Sequence, residues 1–130
     1  MTTLDQNELN KFDNIDWWDS SGKMAMLHRL NPLRCQYIKQ VLCDRFDRNY
    51  NDLNALKGLS ILDIGCGTGE FLITARKNNW NTVGVEINDE ARNKSSKKNI
   101  TTYKFIEEVK SSQFNIITLW HVLEHLKDLN

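Results

Sequence analysis

Residues 59–64, Leu-Ser-Ile-Leu-Asp-Ile, run directly into Gly65-Cys66-Gly67-Thr68-Gly69. Phe71, Leu72 and Ala75 then return at helical spacing. A short apolar run, a glycine-rich turn and an amphipathic helix in that order predict a buried strand feeding a helix through a tight loop. The pattern repeats downstream. Residues 82–86 read as a second strand and residues 89–97 as a polar helix capped by Asn88 or Asp89. Residues 101–105 read as a weak third strand and residues 114–120, rich in β-branched side chains, as a fourth. A further helix is expected from His121 to Leu129. Strands alternating with helices predict βαβ units and a parallel sheet, an α/β fold.

Residues 1–57 differ in character: charge and aromatics abound and strand-like runs are missing. A short helix is expected over residues 5–12, then a loop at Trp17-Trp18-Asp19-Ser20-Ser21-Gly22. Asn31 followed by Pro32 reads as an N-cap and first helical residue. Leu33, Tyr37, Ile38, Val41 and Leu42 would form one apolar face of a helix reaching about Phe46. Residues 48–56 read as a linker. The expected division is a helical extension or lid over 1–57 and a Rossmann-like unit over 58–130.

The chain of 130 residues is 40% hydrophobic, enough for one core, and carries 17 basic and 17 acidic residues. That balance speaks against a nucleic-acid partner, which favours a basic excess. Cys35, Cys43 and Cys66 form no CxxC pair and suggest reduced thiols in a cytoplasmic setting. The polar start of the chain does not resemble a secretory leader.

The loop carries the chemistry. A parallel strand delivers its end to the sheet edge where ligands of such folds bind. Gly65, Gly67 and Gly69 lack a Cβ, which permits left-handed backbone and close approach of a ligand. The third glycine stands one residue too early for the dinucleotide fingerprint, and Asp63 two residues before the first is foreign to that fingerprint. Both features match the D-x-G-x-G-x-G loop that binds the methionine end of S-adenosylmethionine. Glu86 closes the second strand, placed to accept hydrogen bonds from ribose hydroxyls, and Ile87 would pack on adenine. A plain tight turn and an NAD site are the competing readings.

Trp17-Trp18-Asp19, Gly22, the run from Leu27 to Arg34 and Tyr37-Ile38 closely resemble the N-terminal signature of the ubiquinone-biosynthesis O-methyltransferases. The resemblance implies a class I, Rossmann-like methyltransferase fold with a partial parallel sheet in the order 3-2-1-4 behind a helical extension. It implies methylation of a phenolic hydroxyl on a polyprenylated ubiquinone precursor with S-adenosylmethionine as cofactor. Position by position, the cofactor contacts fall on Arg34, Gly65, Glu86 and Trp120, and a divalent-metal site on His121, Glu124 and His125. Arg34 would pair with the cofactor carboxylate.

Where His121 and Trp120 stand, the family usually carries glutamate and methionine. Asp is more usual than Glu86. On a helix, His121, Glu124 and His125 would share one face, and two imidazoles with a carboxylate can ligate a metal. Magnesium prefers oxygen, so His121 favours weaker Mg²⁺ binding or another metal. His121-x-x-Glu124-His125 also spells an inverted zinc-peptidase motif, but no further zinc ligand follows it. His121 or His125 is the expected general base. Trp17, Trp18 and Leu27 are lid candidates.

The family's remaining strands and acceptor-binding loops have no counterpart after Asn130, so a truncated chain is expected. Peripheral contact with a membrane or a biosynthetic complex, or a mitochondrial-matrix location, is compatible with the reading. Two alternatives stay open. One is a class I methyltransferase of another small molecule; the other is a non-catalytic module that binds a nucleotide or a partner.

Overall fold

The computed structural model describes Asn7, residues 25–110 and residues 114–126. The expected helix over 5–12, apart from helical Asn7, and the Trp17–Gly22 loop lie outside the described residues. A parallel 4-stranded sheet has the order β3-β2-β1-β4. Its strands are β1 (Ser60–Ile64), β2 (Asn81–Val85), β3 (Thr102–Tyr103) and β4 (Ile116–Thr118). β1 lies in the middle, with Ile61 opposite Thr82 of β2 and Ile116 of β4. Three strands therefore end along one edge with the glycine loop between them.

The helices are α1 (Ala25–Arg29), α2 (Asn31–Phe46), α3 (Glu70–Lys77) and α4 (Asp89–Lys97). α4 follows its sequence pattern closely: the Asn88 side chain accepts the Ala91 amide at 2.9 Å, satisfying one orphan donor of the first turn. α2 departs from expectation at its start. Asn31 is not the cap; it lies inside the first turn, buried, and its Oδ1 accepts from Arg34 at 3.2 Å. α1 runs almost directly into α2, so Leu30 is already helical and its carbonyl accepts the Arg34 amide. Pro32 sits in the first turn as expected.

The buried face of α2 also differs. Cys35, Ile38, Leu42 and Cys43 enter the core, whereas Leu33, Tyr37 and Val41 are exposed. The helix is apolar on two sides, and the compact thiols are what fit beneath it. Residues 48–56 are not a loose linker. Arg48 donates to the carbonyls of Ala55 (2.8 Å) and Lys57 (3.2 Å), and Ala55 and Leu56 join the core. The expected helix from His121 does not begin there. His121 has φ 53°, a left-handed residue that breaks the helical run, and only a 3₁₀ turn over Leu123–His125 follows. Residues 127–130 lie outside the described residues.

Two interior details fix the sheet. Gly84 faces the loop: a Cβ there would lie 2.5 Å from Cys66 Sγ and 2.9 Å from Leu72 Cδ1. Asp63, 2% exposed, is paired across the β1–β4 register with Thr118. The Thr118 hydroxyl donates to its Oδ1 at 2.8 Å. Burial pushes the Asp63 carboxyl up from 3.8 to about 7, against the hydrogen bond from Thr118 and the nearby Arg34 charge.

Two tests follow from these contacts. Gly84→Ala should cost about 1–3 kcal/mol by overpacking. Gly58→Ala, at φ 84° in open space, should cost only the backbone strain, about 1 kcal/mol. Denaturant titration that ranks the two equally refutes the packing role. For Asp63, the folded carboxyl holds its proton where the unfolded one has lost it. Stability from this group therefore falls as pH rises from about 4 to about 7 and levels off above, by an amount of order a few kcal/mol. Asp63→Asn should flatten the difference in Tm between pH 5 and pH 8 relative to the parent chain; unchanged slopes would contradict the assignment.

Candidate functional site

The loop after β1 turns on left-handed glycines at 65 (φ 75°), 67 (φ 57°) and 69 (φ 81°). The amides of Gly65 and Cys66 both donate to the Val85 carbonyl, at 2.7 and 3.1 Å, so the loop is tied to the last residue of β2. Beyond that residue stands Glu86, 9% exposed. Its Oε2 accepts the Gly67 amide at 2.8 Å and its Oε1 accepts the Asn88 amide at 2.9 Å. One carboxylate thus bridges the glycine loop and the start of α4. Each oxygen keeps acceptor capacity for a ligand hydroxyl. Arg92 locks the same strand end by donating to the Glu86 carbonyl (2.8 Å) and the Ile87 carbonyl (2.9 Å).

The second half of the site gathers around Trp120, just past β4. The Arg34 guanidinium lies 4.6 Å above its ring, and Phe71 meets the ring edge-on at 5.5 Å. Arg34 also reaches His121, with Nη2 3.2 Å from Nε2. A guanidinium can only donate, so His121 Nε2 is the acceptor and its proton belongs on Nδ1, 3.4 Å from Glu124 Oε1. Burial lowers the Arg34 pKa and the Asp63 charge opposes that shift. Burial pushes the adjacent Cys35 thiol up to about 12, against the pull of Arg34. The buried Cys66 thiol is raised too, first by desolvation and then by Asp63 and Glu86. Neither thiol is a nucleophile at neutral pH.

The sequence-derived residues Arg34, Asp63, Gly65, Gly67, Gly69, Glu86, Ile87, Trp120 and His121 fall along this one edge of the sheet. Arg34, Trp120, His121 and Glu124 form one chain of contacts, and Gly67, Glu86 and Asn88 form another. Of the expected metal set, Glu124 Oε1 lies 3.4 Å from His121 Nδ1. His125 Nε2 lies 4.0 Å from Glu124 Oε1. Among the described residues no group of three or more His, Cys, Asp or Glu side chains is arranged to hold a metal ion. The left-handed turn at His121 removes the helix face on which the expected geometry depended.

Sequence reasoning missed Thr118, Arg92 and the bracing by Glu86. The Asp63–Thr118 pair was open to inference once β1 and β4 were placed side by side in register; the others depend on how the chain closes. Among the described residues, the Thr68 hydroxyl and the Trp120 indole N–H are buried without a hydrogen-bond partner. Thr68 belongs to the glycine loop and Trp120 follows β4, and a ligand or water that reached either atom would satisfy it.

Comparison with known proteins agrees with this geometry. The family model described as "Methyltransferase domain" matches residues 34–130. A ubiquinone biosynthesis O-methyltransferase of Nitrobacter winogradskyi is 37% identical over 140 residues, 98% of this chain and 53% of the relative. One from Bradyrhizobium diazoefficiens is 36% identical over 138 residues, 98% of this chain and 54% of the relative. The chain thus spans about half the length of the curated relatives it matches. Among solved structures, the magnesium protoporphyrin IX methyltransferase of Synechocystis PCC 6803 with bound SAM superposes with a TM-score of 0.58 at 15% identity, over 92% of this chain and 59% of that one. A plantazolicin methyltransferase in complex with SAH gives a TM-score of 0.57 at 20% identity, over 93% of this chain and 45% of that one. These likenesses show the Rossmann-like α/β fold. With three-quarters of its length under the family model, this chain belongs to the methyltransferase-domain family.

Proposed function

We propose that the loop and Glu86 hold S-adenosylmethionine, and that the chain forms the cofactor-binding part of an O-methyltransferase. The acceptor would be a phenolic hydroxyl of a polyprenylated ubiquinone precursor, in keeping with the names of the sequence relatives. The observation that carries the reading is the Glu86 carboxylate: it stands at the end of β2, braces the glycine loop, and keeps acceptor capacity on both oxygens.

The residues present fit this cofactor. Left-handed glycines give the loop the turn that such a cofactor needs, Glu86 suits a pair of ribose hydroxyls, and Arg34 suits a carboxylate. Ile87, next to Glu86, is placed to pack against the base. When bound, the cofactor supplies a methyl group on a sulfonium for in-line transfer. The chain's own task is mainly to hold the partners in line and to accept the phenolic proton. His121 Nε2 has the free lone pair for that role once Arg34 turns to a ligand; His125 is the second candidate.

For the metal role that the resemblance implies for His121, Glu124 and His125, no group of three or more potential ligands is arranged among the described residues, and we derive no step through it. No helix among the described residues is long and apolar enough to cross a membrane. A polyprenylated acceptor calls for peripheral contact with a membrane or with partner enzymes, in a cytoplasmic or matrix setting.

Calorimetric titration of S-adenosylhomocysteine tests the assignment. The parent chain should bind, and Glu86→Ala and Arg34→Ala should each weaken binding at least about tenfold, as loss of a charged hydrogen-bonding partner does. Glu86→Gln, which keeps one carboxyl-type oxygen, should fall between. No heat with the parent chain, or equal affinity in Glu86→Ala, refutes the cofactor site. Methyl transfer to a catechol acceptor by the longer relatives' chain organisation, grafted onto these residues, separates an enzyme from a binding module.

A further inference from the structure

Val122 is the part of the groove to which neither the loop motif nor the family signature gives a task. It follows left-handed His121, and its side chain rests directly on the first loop glycine. A Cβ at Gly65 would lie 2.6 Å from Val122 Cγ2. Gly65 is therefore constrained twice, by its φ of 75° and by the methyl that covers it.

Val122 is held in place from both sides. On one side, Trp120, two residues earlier, meets Phe71 edge-on at 5.5 Å, a contact that does not involve Arg34. On the other, the Val122 carbonyl accepts the His125 amide at 3.0 Å, closing the 3₁₀ turn. A β-branched side chain is also stiff about χ1. The result is an apolar side chain set over Gly65, next in sequence to Trp120 and His121, the residues that Arg34 contacts.

We propose that Val122 is a specificity-determining residue: its methyls set how closely the amino-acid end of a ligand can approach the loop at Gly65. This rests on the cofactor reading above, with the ribose at Glu86 and the carboxylate at Arg34. Glu86, the proposed ribose partner, meets the loop at Gly67, two residues beyond the glycine that Val122 covers. The residue therefore discriminates between ligands that carry an amino-acid tail and those that end at the sulfur.

The test compares two ligands on three chains. S-adenosylhomocysteine carries the tail; 5′-methylthioadenosine keeps the nucleoside and sulfur but lacks it. Both are titrated calorimetrically into the parent chain, Val122→Ala and Val122→Ile. Val122→Ile adds a methylene to a filled space and should weaken S-adenosylhomocysteine about tenfold or more. Val122→Ala should tighten it about threefold, and methylthioadenosine should stay within about twofold on all three chains. Methylthioadenosine binding also reports that each variant has folded. Affinities for the two ligands that move together, or an isoleucine variant indistinguishable from the parent, overturn the role of Val122 and leave the cofactor site standing. Absence of S-adenosylhomocysteine binding by the parent chain overturns both.

Discussion

The Glu86 carboxylate accepts an amide hydrogen from Gly67 with one oxygen and from Asn88 with the other. Much of the site hangs on that bridge. Loop amides that rise from β1 have no ladder partners of their own, and a buried amide without an acceptor is costly. Val85 takes the first of them and Glu86 the next. The same side chain reaches forward to Asn88, whose own side chain caps α4. Loop conformation, strand end and helix start are thus joined through one acidic residue. Arg92 returns from α4 to hold the backbone on which that residue stands.

The opposite wall is built on a different principle. Arg34 comes from α2, far away in sequence, and stacks on Trp120 while bonding Asn31 and His121. Its charge is drawn partly into the protein, where burial disfavours it and buried Asp63 favours it. Among the described residues this guanidinium is held by an aromatic face and two neutral acceptors, with no carboxylate bonded to it. Its planar fork remains suited to an incoming anion.

Local order was readable from the chain, and tertiary order was not. β1, the loop and α4 with its Asn88 cap have signals within a few residues, and they sit where spacing puts them. α2 misled on its buried face because Leu33, Tyr37 and Val41 look more apolar than Cys35 and Cys43. Packing against α3 selected the smaller side chains. The turn at His121 misled because residues 121–125 carry good helical spacing. Its left-handed residue is stabilised by a contact to Arg34, 87 positions earlier in the chain. The left-handed glycine loop and the place of Glu86 just past β2 were legible because strand and turn signals fix them locally. The arrangement of Glu124 and His125 was not, since it depends on the path of the turn.

Gly84 carries a consequence for how this sequence can drift. The missing side chain in β2 is filled from above by Cys66 and Leu72, which belong to the loop and to α3. Positions 66, 72 and 84 therefore share one volume. A larger residue at any of them has to be matched by a smaller one at another, or the loop lifts from the sheet and carries Gly67 away from Glu86. Among natural variants the three should change size in concert, so that mutational tolerance along this edge of the sheet is decided by a trio drawn from loop, strand and helix.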